Sequence, residues 1–184
     1  LAEATRGQLT GRRMRIKLID SGWGSSGYYS PEVLQEAAKN GIFGDGLHMY
    51  LDHPTQTQQA ELPERSVRDL AAVIEGPVTY RYGGLYAEAR LYDDYLWVAP
   101  KKDAIGLSIR ASGMAEAGEA DGRQGLIITA LTEGTSVDFV THAGRGGQVL
   151  ELLESARAQP LEEARHIGGW LESRVRISAD GGHV

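Results

Sequence analysis

Alternation of apolar and polar residues is the main pattern along this chain, and it predicts a protein built largely from strands. A period of two residues is typical of a strand that buries one face. Glycine pairs such as Gly83 and Gly84 separate these stretches and are typical of hairpin turns. The predicted strands span residues 14–20, 47–51, 67–75, 78–82, 85–92, 104–113, 126–133 and 136–141. Residues 115–125, which are small, acidic and rich in glycine, are expected to form a solvent-exposed loop.

Helical signals are fewer. Ser30 is a favourable N-cap and Pro31 suits the first helical position, so a helix is expected to begin there and to end near Asn40. Two further helices are predicted near the C-terminus, over residues 148–156 and 161–174. Their apolar faces need a partner, so we expect them to pack outside the main domain or to mediate self-association.

The order of these elements indicates the fold class. Successive strands joined by turns favour a mainly β protein with peripheral helices (α+β), in which an antiparallel β-barrel or sandwich is surrounded by helices. We expect three regions along the chain. They are a flexible N-terminal arm over residues 1–13, a barrel domain over residues 14–147, and a C-terminal helical segment and tail over residues 148–184.

Composition narrows the range of functions. The 184 residues are 41% hydrophobic and 24% charged, which suits one globular domain with a real core. The formal net charge of -6 argues against general nucleic-acid binding. The absence of cysteine excludes disulfides, thiolate metal sites and a cysteine nucleophile. No apolar run is long enough to cross a membrane, so we expect no membrane partner.

The segment from Gly22 to Gly27 has the Gly-x-Gly-x-x-Gly spacing of a dinucleotide-binding loop. In that motif the helix starts at the glycines, so that its N-terminus holds the pyrophosphate. Here Tyr28 and Tyr29 separate the last glycine from the predicted N-cap at Ser30. A flexible turn is therefore the preferred interpretation, and a nucleotide-binding enzyme is the lesser alternative.

Ser108 is a candidate nucleophile, because it lies in a predicted strand two residues after a glycine that clears space beside the backbone. A serine hydroxyl needs a general base and an oxyanion-binding site before it can attack a substrate. His53 is the best candidate base, because it follows a predicted strand and opens a long polar loop. Arg110 stands where the last glycine of Gly-x-Ser-x-Gly would be, which excludes the nucleophile elbow of α/β-hydrolases.

The other histidines are weaker candidates for the general base. His142 precedes a glycine turn and is a second candidate base. His48, Asp52 and His53 are close in sequence, but their spacing is a weak match to a metal site. We therefore expect neither a metal ion nor a cofactor.

Four segments, taken together, resemble a known family. They are residues 28–34 (YYSPEVL), 49–54 (MYLDHP), 106–109 (GLSI) and 131–139 (LTEGTSVDF). Their order, with a histidine before a serine before an acidic strand, resembles the prohead (capsid maturation) proteases of tailed bacteriophages. Those proteases are in turn similar to the herpesvirus assemblin proteases. The resemblance extends from residue 14 to residue 147.

The resemblance implies a serine endopeptidase on a β-barrel ringed by helices. By position in the motifs, Ser108 is the nucleophile and His53 the general base. The third member of such a triad holds and polarises the histidine. It is a second histidine in assemblins and an acidic residue in the phage proteases. Glu133 best matches that position, Asp138 is the second choice and His142 the third.

Residues 143–147 (AGRGG) resemble the Gly-Arg turn that forms the oxyanion site in assemblins. The resemblance implies that the backbone N–H of Arg145 donates to the oxyanion and that Gly144 lets the backbone approach closely. Assemblins carry paired arginines in this turn, whereas Gly146 follows Arg145 here. Arg110, close to the serine, is the candidate substitute for the second arginine.

The resemblance also implies a biological role. The substrates would be scaffold and capsid proteins, cleaved inside the viral procapsid in the host cytoplasm. We further expect self-cleavage at the termini, because the sequence starts at Leu1 without an initiator methionine and ends in a polar tail. Assemblins dimerise through helices, which raises the option of a homodimer. A catalytically silent shell or scaffold component with the same fold is the main alternative function.

Overall fold

The computed structural model describes residues 11–153, and strands dominate this part of the chain. The strands are β1 (Arg12–Asp20), β2 (Gly22–Trp23), β3 (Tyr28–Tyr29), β4 (His48–Tyr50), β5 (Leu70–Arg81), β6 (Gly84–Leu91), β7 (Gly106–Ala120), β8 (Arg123–Val140) and β9 (Gln148–Leu152). The α-helices of the described part are α1 (Pro31–Lys39) and α2 (Gln56–Glu61). Two 3₁₀ segments, Val67–Asp69 and Asp93–Lys101, precede β5 and β7.

All of these strands belong to one sheet, in the spatial order β2-β3-β8-β7-β9-β1-β6-β5-β4. The sheet is mixed, because β3 and β8 run parallel while the other neighbours are antiparallel. The predicted alternation is evident in β6, where Leu85, Ala87, Ala89 and Leu91 are buried and the residues between them are partly exposed. Side chains alternate sides along a strand, so one face of β6 contributes to the hydrophobic core.

Helix α1 covers part of this core. The Ser30 hydroxyl accepts a hydrogen bond from the backbone N–H of Val33, and the helix starts at Pro31. Leu34 and Ala37 are buried where the helix packs on β5 and β8. The predicted start of this helix is confirmed, because Ser30 and Pro31 satisfy the N-terminal turn locally.

The prediction of an antiparallel barrel surrounded by helices is wrong. The described residues form an open sheet, with β2 and β4 at its edges. One isolated bridge joins Leu51, just beyond β4, to Phe139 in β8. It does not continue, because the chain turns at Asp52, whose φ of 55° lies in the left-handed region. A barrel needs a continuous ladder between its first and last strands. The helices of this part of the chain are also too few and too short to surround the sheet.

The expected loop over residues 115–125 is also wrong, because β7 and β8 continue through it as a long hairpin. Pairing between the two strands extends to Ala120 and Arg123. Trp23 supports the end of this hairpin. Its indole N–H donates to the carbonyl oxygen of Ala120 at 3.0 Å, and its ring lies where a side chain at Gly125 would have to be.

The start of the predicted C-terminal helix is a strand instead. Gln148–Leu152 form β9, which pairs with β1 and buries Val149. β9 is therefore part of the same sheet. The helix predicted over residues 161–174, most of the N-terminal arm and the tail lie outside the described residues. Between residues 11 and 153, no helix is both long and apolar enough to cross a membrane.

Candidate functional site

Ser108 lies in the first half of β7, and its direct cross-strand partner in β8 is Asp138. The side chains of directly opposed residues point to the same face of a sheet, with Cβ atoms about 4.5–5.5 Å apart. Strand pairing alone therefore places the hydroxyl and the carboxylate side by side.

His53 is brought to Asp138 by the segment that follows β4. The backbone N–H of Asp52 donates to the carbonyl oxygen of Phe139 at 2.9 Å, which anchors this segment one residue from Asp138. The Nδ1 atom of His53 lies 2.7 Å from Oδ2 of Asp138. The His53 side chain is 40% exposed whereas Asp138 is fully buried. The imidazole thus extends from a buried carboxylate to the surface.

The two oxygen atoms of the buried Asp138 carboxylate differ in their hydrogen-bond partners. Its Oδ2 atom accepts from His53 and also from Nη1 of Arg65, at 3.3 Å. Its Oδ1 atom and the Oγ atom of Ser136 are buried and have no hydrogen-bond partner within residues 11–153. A buried charge is costly unless it is paired. The buried carboxylate is therefore stabilised by its contacts with His53 and Arg65.

Arg65 is a residue of the site that the sequence analysis missed. Its Nη2 atom donates to the carbonyl oxygens of Leu51 and Asp52, at 3.4 and 2.9 Å. Its guanidinium lies over the Tyr50 ring, 4.4 Å from the centroid, and its side chain is only 9% exposed. An arginine in a polar loop carries no periodic or motif signal, so only the tertiary contacts reveal it.

Tyr50 forms the floor beneath Arg65. Its hydroxyl lies 3.1 Å from Nδ1 of His48. Burial raises the pKa of the Tyr50 phenol above its ordinary value of 10.0; the Arg65 charge acts in the opposite direction, and the Asp138 charge adds to the rise. The phenol therefore stays protonated around neutral pH and remains an uncharged surface for the guanidinium.

The loop over residues 143–147 lies beside Ser108. Ser108, Gly144 and Arg145 line the same small recess. The loop approaches closely because Gly106 has no side chain: a Cβ atom there would lie 2.7 Å from the Cβ atom of Ala143. Within residues 11–153, the backbone N–H groups of Gly144 and Arg145 donate to no other atom.

The Arg145 side chain holds this loop in place. Its Nε atom donates to the carbonyl oxygen of Ser21 at 2.8 Å. The guanidinium occupies the space that a side chain at Gly22 would need. The side chain is therefore directed to the Ser21 turn, which leaves only the Arg145 backbone for the recess at Ser108.

His53 and Ser108 open onto one cleft of about 510 Å³ that follows β7 and β8. Arg110 lines the cleft two residues from Ser108, on the same side of the strand. In the described part of the chain it has neither an ion pair nor a hydrogen-bonded side-chain partner. The volume lies within the range typical of ligand sites.

The other candidates for the third position do not contact His53. Glu133 is exposed and pairs in register with Ser112. It lies five positions along β8 from Asp138, which is about 17 Å of strand. His142 is exposed, and its Nδ1 atom lies 3.3 Å from the hydroxyl of the adjacent Thr141.

The segment from Gly22 to Gly27 forms the β2–β3 hairpin, in which the N–H of Gly24 donates to the carbonyl oxygen of Gly27 at 2.8 Å. Tyr29 pairs with β8 before α1 begins at Pro31. The glycines therefore do not present a helix N-terminus to a phosphate. Among residues 11–153, no group of three His, Asp or Glu side chains is arranged to hold a metal ion.

Comparison with known proteins finds a structural similarity to solved structures. The fold is similar to that of the bacteriophage T4 capsid assembly protease gp21, with a TM-score of 0.47 and 16% sequence identity. The similarity covers 70% of this chain and 81% of that chain. No protein-family model matches the chain, and no curated protein matches it.

Proposed function

We propose that this chain is a serine endopeptidase in which Ser108 is the nucleophile, His53 the general base and Asp138 the residue that orients the histidine. The observation that carries the proposal is the 2.7 Å hydrogen bond between His53 and the buried Asp138, at a cleft that Ser108 also lines. Asp138 is preferred to Glu133, the first choice from the sequence, because Glu133 is exposed and pairs with Ser112.

The chemistry follows from the tautomer of His53. A carboxylate only accepts hydrogen bonds, so Nδ1 carries the proton that faces Asp138 and Nε2 keeps its lone pair. Nε2 removes the proton of the Ser108 hydroxyl as Oγ attacks the peptide carbonyl carbon. The Asp138 carboxylate stabilises the imidazolium, which then gives its proton to the leaving amine. Water hydrolyses the acyl-enzyme in the second half of the reaction.

The negative oxygen of the tetrahedral intermediate needs donors that are already in place. We assign this role to the backbone N–H of Arg145, which shares a recess with Ser108 and has no other acceptor within residues 11–153. Gly144 allows the close approach: a Cβ atom there would lie 3.0 Å from the Ser25 hydroxyl. Arg110 supplies a positive charge near the oxyanion, since it lines the cleft without a partner among the described residues.

The substrate class rests on the motif order shared with the prohead proteases. We propose that the chain cleaves scaffold and capsid proteins, and its own termini, inside the procapsid during maturation. The cleft supports a polypeptide substrate, because it follows consecutive residues of β7 from Ser108 outward and suits an extended segment. A homodimer remains a prediction from the same resemblance.

Labelling with a fluorophosphonate probe tests the nucleophile directly. We expect the wild-type chain to be labelled at Ser108, and Ser108→Ala to lose labelling while it keeps its fold. His53→Ala should slow labelling severely, and the double variant little further, since the members of a triad act as a unit. Thr132→Ala removes an exposed hydroxyl from β8 and serves as the matched control. An unlabelled wild-type chain would contradict the proposal.

Co-expression with candidate scaffold and capsid proteins tests the substrate class. Fragments mapped by mass spectrometry should appear with the wild-type chain and be absent with Ser108→Ala. Intact masses of a longer form should show trimmed termini only when Ser108 is present. If the chain is a catalytically silent shell component, the scaffold protein, the capsid protein and the chain itself should all stay uncut. Trimmed termini in the Ser108→Ala form would show that another protease does the processing.

A further inference from the structure

The side chain of Arg65 connects the two ends of the loop that carries His53. Residues 52–65 leave the sheet after β4 and include α2. The Nη2 atom of Arg65 donates to the carbonyl oxygen of Asp52 at 2.9 Å and to that of Leu51 at 3.4 Å. One side chain therefore joins the end of the loop to its beginning, directly before His53.

The backbone at both ends of this loop adopts an unfavourable conformation, which contacts must maintain. Asp52 has a φ of 55° and Arg65 a φ of 66°. Positive φ is unfavourable for residues other than glycine, and it persists only where surrounding contacts maintain it. Helix α2 has no buried residue, so core packing does not hold the loop. The Tyr50 ring, 4.4 Å from the guanidinium carbon, limits where the guanidinium lies.

The same guanidinium also holds Asp138. Its Nη1 atom lies 3.3 Å from Oδ2, the oxygen that accepts the 2.7 Å hydrogen bond from His53. The Oδ1 atom has no partner within residues 11–153. Arg65 is thus the second group that holds the carboxylate, and without it only the His53 hydrogen bond would remain among the described residues.

We propose that Arg65 is a positioning residue for the catalytic pair, because it fixes the backbone before His53 and the Asp138 carboxylate with one rigid group. This inference rests on the proposed roles of Ser108 and His53. It requires arginine, since the planar guanidinium presents several donors in a fixed fork. A lysine ammonium keeps the charge at this place but lacks that fork.

Two substitutions separate charge from geometry, and a third is the control. Arg65→Met removes the charge and all donors, whereas Arg65→Lys keeps the charge. Arg68→Met removes a neighbouring arginine that is exposed and whose side chain has no partner in the described part of the chain. Circular dichroism and thermal unfolding identify the folded variants. If Arg65→Met does not fold, Arg65→Lys decides.

Fluorophosphonate inactivation gives the maximal rate and the apparent affinity separately. We expect Arg65→Met to lower the maximal rate about 10- to 100-fold, because small misplacements of catalytic groups have effects of that size. The apparent affinity should change less than about twofold, since Arg65 does not line the cleft at Ser108. Arg65→Lys should recover part of the rate, and Arg68→Met should match the wild type.

A double-variant cycle shows whether Arg65 acts through Asp138. In the Asp138→Asn background, Arg65→Met should lower the maximal rate by a smaller factor than in the wild-type background, because the carboxylate is already absent and only the restraint on the backbone before His53 is lost. The Nδ1–H resonance of ¹⁵N-labelled His53 provides a second measurement. In Arg65→Met it should lose the downfield shift typical of a short hydrogen bond to a carboxylate.

The outcomes are distinct. The inference is overturned if folded Arg65 variants label as fast as Arg68→Met and keep the His53 resonance, or if the cycle is additive. Failure of the proposed function itself looks different, because the wild-type chain would then not be labelled at Ser108. The His53 resonance still tests the positioning role in that case, since it depends only on the His53–Asp138 hydrogen bond.

Discussion

At the scale of single residues, Asp138 has the most constrained environment of the candidate site. It is fully buried, and one of its oxygens accepts a hydrogen bond from His53 and pairs with the Arg65 guanidinium. Such a carboxylate can hold an imidazole in one tautomer while the other ring nitrogen remains free for chemistry. The two acidic candidates on β8 therefore differ sharply in what their removal should do.

Asp138→Asn should lower the rate of fluorophosphonate labelling by about 10⁴-fold, because an amide in this position favours the wrong histidine tautomer. Glu133→Gln should change the rate by less than about twofold, since Glu133 is exposed on the far part of β8. Both rates are measured on folded protein at the same pH. The opposite ranking would restore Glu133 as the third member of the triad.

Tyr50 gives the molecule a pH dependence on the alkaline side. Burial raises the pKa of its phenol above 10.0, so the folded state holds this proton more tightly than the unfolded state. Its contribution to the free energy of unfolding is complete below pH 10 and is lost as the pH rises through the folded value. Tyr50→Phe should therefore unfold with a flatter pH dependence above pH 10, measured by urea denaturation. A slope unchanged from wild type, or flattened equally by the exposed Tyr82→Phe control, would contradict this.

At the scale of elements, the loop over residues 143–147 is placed by its contact with β7 rather than by its own sequence. The Leu107 N–H donates to the carbonyl oxygen of Gly147 at 3.0 Å, and the Arg145 side chain binds the carbonyl oxygen of Ser21. Gly106 allows the two backbones to approach. The shape of the recess beside Ser108 therefore depends on the absence of a side chain at Gly106.

Gly106→Ala should push this loop away from β7 and lower the labelling rate by about 10- to 100-fold, because the oxyanion donors move with it. The crowding should also reduce the free energy of unfolding by about 1–3 kcal/mol. Gly44→Ala is the matched control, since its added Cβ would meet only the Gly41 carbonyl oxygen at an ordinary 3.7 Å. Equal labelling rates for both variants would show that the reaction of Ser108 does not depend on the position of this loop.

At the scale of the whole molecule, β9 joins two parts of the sheet. It pairs with β1 over several residues but with β7 only between Gln148 and Gly106. In the strand order, β9 therefore links the strands that carry Ser108 and Asp138 to β1, β6, β5 and β4. Helix α1 and the bridge between Leu51 and Phe139 add further contacts between the two parts. Val149 is the buried residue of β9, while Leu150 points outward and is 39% exposed.

Val149→Ala should lower the free energy of unfolding by about 1–3 kcal/mol, because it removes buried methyl groups from β9. Leu150→Ala should cost less than about 1 kcal/mol, since its side chain is partly in water. Urea denaturation of both variants measures the difference. Equal losses would favour the helix predicted from the sequence, in which both residues lie on the same apolar face.

Much of the local structure could be predicted from neighbouring residues. The start of α1 follows from Ser30 and Pro31, and the strand β6 follows from the alternation of its buried residues. These features depend on caps and side-chain periodicity, which act within a few residues. Residues 148–152 could not be assigned in this way, because their apolar positions suit a helix as well as a strand. Pairing with β1 decided between the two.

By itself, the sequence determined the candidates Ser108 and His53, the loop at Arg145 and the abundance of strands. Only the tertiary structure decided that the sheet stays open, that Asp138 rather than Glu133 faces His53, and that Arg65 joins them. The physical reason is distance along the chain. His53 and Asp138 are 85 positions apart, and their contact depends on the turn at Asp52 and the register of β7 against β8. A one-residue change in that register moves every side chain to the other face.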